Sequence, residues 1–257
     1  MAERVESQAS VIRSLSAPVA ALVAIVVAAA WYVTWATSDF AMAFVDPMAT
    51  PAEVDVAMFF ALLVVMMIAM MLPSALPMIL AYRGLTRLEA GRPVQPADNL
   101  GTALFVAPYF LVWGAFGIAA LLGLVALGFI DPMGGPLALA SSVVLVAAGV
   151  YQATRAKEVC LIRCQSPMSF VMQHWRSGRT GAVRMGLRHA AYCIGCCWLF
   201  MIVLFVAGAM SLVWMGVLSV AIFVEKMTAR PRPVSLTIGG LLIGLGVLLA
   251  VQALLSG

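Results

Sequence analysis

Seven runs free of Asp, Glu, Lys and Arg take up most of this chain: 17–36, 56–80, 100–129, 136–154, 189–207, 210–224 and 234–255. Most are close to the roughly 20 apolar residues that a helix needs to cross a bilayer. Hydrophobic residues make up 64% of the chain and charged residues 10%. A soluble domain of this length has no interior large enough for so much apolar surface. The expected fold is an all-α, polytopic transmembrane bundle of about seven helices, forming a single membrane domain over 1–257. Residues 1–16 are polar and read as a cytoplasmic lead-in. The full-length first run reads as a retained signal-anchor helix rather than a cleaved signal peptide.

Charge orders these runs. With the N-terminus in the cytoplasm and seven crossings, all fifteen Lys and Arg fall on the cytoplasmic side. They are Arg4 and Arg13, then Arg83, Arg87 and Arg92, seven residues from Arg155 to Arg188, and Lys226, Arg230 and Arg232. Asp39, Asp46, Glu53, Asp55 and Asp131 fall on the other side. That is the positive-inside pattern, and it puts the C-terminus outside a bacterial inner membrane. A single helix over 189–224 would place basic loops on both faces. The net charge of +4 then reports topology and attraction to anionic lipid, not nucleic-acid binding. Trp31, Tyr32 and Trp35 stand at the outer end of the first run, where an aromatic belt belongs.

The five cysteines all lie at or just inside the expected cytoplasmic face. Cys160 and Cys164 are four residues apart, and Cys193, Cys196 and Cys197 fall at i, i+3 and i+4, so each set shares a helical face. The cytoplasm keeps thiols reduced, and an odd count argues against a paired disulfide framework. Entry of the fifth helix near His189 would put its positive dipole end beside Cys193, with Arg184 and Arg188 adding charge. Both effects favour thiolate, the form that binds metal. The spacings are not those of a zinc knuckle. Soft thiolates favour Cu(I) over zinc. Cysteine is also a small apolar residue that lets helices approach, so packing is the competing reading.

The second run is rich in methionine, with Met66, Met67, Met70 and Met71 on one broad side. Thioether sulfur suits Cu(I), though methionine is also a flexible core filler. Pro73 and Pro77 are expected to disturb this helix near its cytoplasmic end. Residues 155–188 read as a cytoplasmic interfacial segment, with a short helix beyond Pro167 lying on lipid and His174 beside it. Glu225 and Lys226 close the sixth helix. Such a pair usually snorkels, but Glu225 turned into the bundle would neutralise a cation or carry a proton. Gly240 and Gly244 have the spacing of a close helix crossing, which would permit a homodimer.

Several of these motifs together resemble a bacterial family of metal-binding integral membrane proteins, domain of unknown function 2182. They are Met70-Met71-Leu72-Pro73 with Pro77, then Tyr151-Gln152, Lys157, Cys160-Leu161, Cys164, Pro167 and Phe170. The series continues with Gly186-Leu187-Arg188-His189, Tyr192-Cys193, Gly195-Cys196-Cys197-Trp198, Gly208, Met210, Trp214-Met215 and Glu225-Lys226. The likeness covers most of 55–250. The family commonly carries Asn after the Met at the hairpin turn, where this chain has Ser211. The resemblance implies metal binding in the membrane and establishes no activity.

The expected function is soft-metal binding or transport, with Cys160, Cys164, Cys193, Cys196 and Cys197 as the cytoplasmic centre. His189 and Glu225 are subsidiary candidates. Thioethers of the second run, with Met201, Met210 and Met215, would give weaker steps toward the other face. A metallochaperone or a membrane complex would be the partner. No Walker motif or phosphorylatable Asp signature occurs, which disfavours an ATP-driven pump. No hydrolytic constellation is evident either. Two other classes fit the same residues: a thiol redox protein cycling Cys193 and Cys196, and an assembly subunit whose cysteines pack helices.

Overall fold

The structure, a computed structural model, describes residues 2–38, 56–86, 98–128, 130–131, 135–136, 138–206 and 211–256. Side chains of 2–16 are not among what it describes. The acidic loop 39–55 and Met210 lie outside the described residues, so their expected roles do too.

Nine helices occur among the described residues. They are α1 (Ala2–Ala36), α2 (Val56–Thr86), α3 (Asn99–Ala126), α4 (Ala138–Gln152), α5 (Arg155–Gln165), α6 (Pro167–His174), α7 (Gly178–Val206), α8 (Leu212–Met227) and α9 (Pro231–Ser256). A two-residue antiparallel pairing, β1 (Ile130–Asp131) with β2 (Gly135–Pro136), closes the turn between α3 and α4. The seven expected runs thus correspond to α1, α2, α3, α4, α7, α8 and α9. Five helical stretches are long and apolar enough to cross a membrane: Ala17–Ala36, Phe60–Thr86, Asn99–Ala126, Gly178–Val206 and Pro231–Leu255. The multi-pass assignment follows. Helices α4 and α8 are shorter, with 15 and 16 residues. At 1.5 Å per residue they reach about 22–24 Å, less than the hydrocarbon core.

Three local features add detail to the sequence reading. The lead-in and the first span form one helix that runs through Pro18. Helix α2 also runs unbroken through Pro73 and Pro77 to Thr86. It packs against α1, α3, α6 and α8, the protein-lined setting in which helix proline is tolerated. The interfacial segment is two helices, α5, which carries both Cys160 and Cys164, and α6, the expected short helix beyond Pro167, with Ser166 between them.

Side-chain chemistry fixes several ends. Asp98 caps α3 by accepting from the Gly101 amide at 2.8 Å, and Thr154 caps α5 by accepting from Lys157 N at 3.3 Å. Ser211 caps α8 at the Trp214 amide. Ser is among the preferred N-cap residues, because its hydroxyl accepts from an otherwise unpaired amide of the first turn.

The packing separates a buried centre from a lipid-facing shell. Helix α7 packs against α3, α4 and α5, and α2 closes the core from the other side. Large apolar side chains point outward from the shell, among them Leu111, Val213, Leu241 and Leu254. A contiguous exterior of that kind is stable in hydrocarbon and not in water. Helix α9 lies along α4 at backbone contact distance. A Cβ on Gly149 would stand 2.6 Å from the Gly239 carbonyl oxygen, so glycine is what permits the crossing. Gly240 and Gly244 have nothing within 4 Å and take no part in it.

Candidate metal centre

Helix α7 supplies most of the centre. His189, Cys193, Cys196 and Cys197 follow the 3.6-residue period onto its buried face, and all four are at most 3% exposed. The sulfurs of Cys193, Cys196 and Cys197 lie within 4.8 Å of one another. Cys193 and Cys197 Sγ are 3.9 Å apart, and a fourth thiol joins from α5, with Cys164 Sγ 3.9 Å from Cys196 Sγ. All five cysteines are free thiols. Cys196 and Cys197 donate to the Cys193 carbonyl oxygen at 3.1 and 2.8 Å, which holds both sulfurs over one turn.

Cys193 is the point where the bundle converges. Its sulfur is 3.0 Å from Tyr109 Oη of α3 and 3.0 Å from Lys226 Nζ of α8. Lys226 also donates to Ser74 Oγ of α2 at 3.0 Å. Five helices (α2, α3, α5, α7 and α8) therefore place a polar side chain at or next to this cluster. A desolvated cluster of that kind is stable only when each polar member finds a partner.

The source of positive charge differs from the expected one. Helix α7 begins at Gly178, so Cys193 sits about four turns inside it, far from the dipole end, whose influence fades within a turn. Arg184 and Arg188 are exposed. The cation at Cys193 is instead Lys226, which is 5% exposed. The reading of Glu225 and Lys226 as snorkelling termini fails for the same reason: both are buried. Glu225 does turn into the bundle and neutralise a cation, but that cation is Lys157, at 2.7 Å.

The other candidates are placed as follows. Cys160 is half-buried with its sulfur packed toward Gly195 of α7. Burial, then Cys196, pushes its thiol up from the usual range. Contacts with Cys193 and Cys196, then burial, hold the Cys164 thiol well above that range. Met66, Met67, Met70 and Met71 are all buried in α2. The Met67 methyl would be 3.8 Å from a Cβ on Gly117, so that side chain packs toward α3. Met201 and Met215 are core residues. His189 stacks with Tyr109 at a ring separation of 5.0 Å, and neither of its ring nitrogens has a hydrogen-bond partner among the described residues. His174 is half-buried, with the Phe170 carbonyl 2.9 Å from Nδ1.

Sequence reasoning missed Tyr109, Ser74 and the burial of Lys226. Tyr109 carried no signal beyond its place after Pro108. Lys226 carried one, because a charge pair next to a long apolar run is either at the interface or committed to partners inside.

What the arrangement can do follows from its donors. Clustered thiols in a dry site are soft ligands suited to Cu(I) or zinc and poor ligands for magnesium or calcium. Searches of the curated proteins and of the solved structures gave no match. The family model described as PpoB2, copper chaperone, matches residues 60–249, from the second helix through the last and across every cysteine. Its description is copper chaperone, not the label of unknown function that the motifs resemble. The chain therefore belongs to the PpoB2 copper chaperone family.

Proposed function

We propose that this protein captures Cu(I) at the cytoplasmic face of a bacterial inner membrane and passes it to a protein partner, a metallochaperone or a membrane complex. Cys193, Cys196 and Cys197 form the binding centre, with Cys164 as the fourth thiol. The observation that carries this reading is the approach of three free thiols to within 4.8 Å in a buried site. The i, i+3, i+4 spacing brings these three together within α7, and packing adds the fourth thiol from α5, with Cys164 Sγ 3.9 Å from Cys196 Sγ. The family description favours copper over zinc as the cargo.

The N-terminus is placed in the cytoplasm and the C-terminus outside, which puts the basic helices α5 and α6 and the start of α7 on the cytoplasmic side. That end of the bundle presents Arg155, Arg163, Arg176, Arg179, Arg184 and Arg188 at the surface. Cys160 supports the packing of α5 on α7 and stands as an outer thiol rather than a member of the inner set. The buried thioethers Met66, Met70 and Met71 offer weaker sites, which suits release better than capture.

The test is Cu(I) stoichiometry of the reduced, detergent-purified protein, beside a variant with Cys193, Cys196 and Cys197 changed to Ser. About one equivalent retained by the native chain and lost in the variant is expected for a thiolate centre. Equal copper in both would sink the reading. A disulfide-cycling protein would instead tolerate Cys197→Ser alone.

A further inference from the structure

Among the described residues, Lys226 has two polar partners, Ser74 Oγ and Cys193 Sγ, each at 3.0 Å, and no carboxylate. Its neighbour Glu225 points the other way and is engaged by Lys157. A buried ammonium needs a counter-charge, because an unpaired charge in low dielectric is strongly unfavourable. The groups within reach that supply one are the thiols.

We infer that Lys226 is the built-in counter-cation of an anionic metal–bis(thiolate) complex, and that it makes this site favour monovalent soft ions over divalent ones. The inference rests on the metal-binding reading above and adds the source of its selectivity. The charge count is direct. When two of the four thiols bind as thiolates and the other two keep their protons, as the donation of Cys196 and Cys197 to the Cys193 carbonyl allows, a monovalent ion carries one net negative charge, which Lys226 cancels. A divalent ion with two thiolates is already neutral, so the ammonium is left unbalanced beside it. Ser74 fixes the ammonium from the far side, so the charge does not swing away when a metal arrives. Lys226 is a specificity-determining residue here, not a ligand.

Ag(I) and Hg(II) separate this role from a structural one, since both form two-coordinate thiolate complexes and differ by one unit of charge. Affinities of both ions would be measured by competition with a small thiol for the native chain, Lys226→Arg and Lys226→Met. Lys226→Met is expected to lose Ag(I) affinity by about tenfold or more while Hg(II) affinity holds or rises; Lys226→Arg keeps the native preference. Retained Hg(II) binding also certifies an intact site in the Met variant. If Lys226→Met weakens both ions together, or neither, the inference is overturned while the thiolate centre stands. If the native chain binds neither ion, the metal-binding reading falls and the inference falls with it.

Discussion

Lys157 of α5 and Glu225 of α8 form an ion pair 2.7 Å long, with each side chain 2% exposed. The ammonium also lies 4.5 Å from the Phe200 ring centroid. Gln165, at the other end of α5, donates to the Glu225 and Thr228 carbonyls, so two anchors bind α5 to the end of α8. That clamp sets the position of Cys164, which lies between them. Removing one partner of a buried pair strands the other charge, at about 3–5 kcal/mol, whereas replacing both with apolar groups is often neutral. Lys157→Met and Glu225→Leu should each lower the thermal unfolding temperature in detergent, and the double variant should lie above either single one. A double variant as unstable as the sum of the two would show that the pair acts through separate partners.

Gly195 and Cys160 make the second close approach between α5 and α7. A Cβ at 195 would stand 2.5 Å from Cys160 Sγ and 3.3 Å from its Cβ. Gly195→Ala should therefore push the helices apart and destabilise by about 1–3 kcal/mol. Adding Cys160→Ala removes the sulfur that collides, so the double variant should recover most of the loss. Cys160→Ala alone should leave copper stoichiometry unchanged, measured on the same reduced preparation. Loss of copper there would move Cys160 into the inner ligand set.

The spans were legible because charge is costly in hydrocarbon, which leaves long charge-free runs as a direct trace of α1, α2, α3, α7 and α9. The cysteine face was legible because 193, 196 and 197 share one side of any helix. The start of α7 was legible in principle and misplaced. Gly181, Ala182, Met185 and Gly186 are buried while Arg179, Arg184 and Arg188 are exposed, which is a helical alternation lying upstream of the purely apolar run. The partners of Cys193 were not legible. Adjacent residues on a helix point about 100° apart, so Glu225 meets α5 while Lys226 meets α2 and α7. Only the arrangement of neighbouring helices decides that both directions are interior. Pro73 and Pro77 lie inside a helix that continues past both, where packing on several sides supports it.

Copper affinity should rise with pH, and Cys164 should contribute to the slope. A thiol must lose its proton to bind metal, so binding releases protons until the solution itself has removed them. Contacts with Cys193 and Cys196 and burial hold the Cys164 thiol well above its usual range, so it enters the metal-binding step protonated. Cys164→Ser should then reduce the dependence of log affinity on pH by about one proton between roughly pH 6 and 8. Cu(I) competition titrations at several pH values measure it. An unchanged slope would leave Cys164 outside the site.

His189 offers the sharpest separation of fold from function. Its ring lies 5.0 Å from Tyr109 and 6.1 Å from Phe105, stacked against both, and 6.0 Å from Phe170. Those contacts are what a phenyl ring would make equally well. Yet both ring nitrogens are buried with no partner among the described residues, one turn of α7 before Cys193. An unpartnered buried polar atom costs about 1–3 kcal/mol, which packing alone gives no reason to retain. His189→Phe should therefore leave the metal-free protein as stable or raise its unfolding temperature. The same variant should weaken Cu(I) affinity by about tenfold, as expected for loss of a ligand or of a group supporting one. Greater stability with unchanged copper affinity would reduce His189 to a packing residue and confine the centre to its thiols.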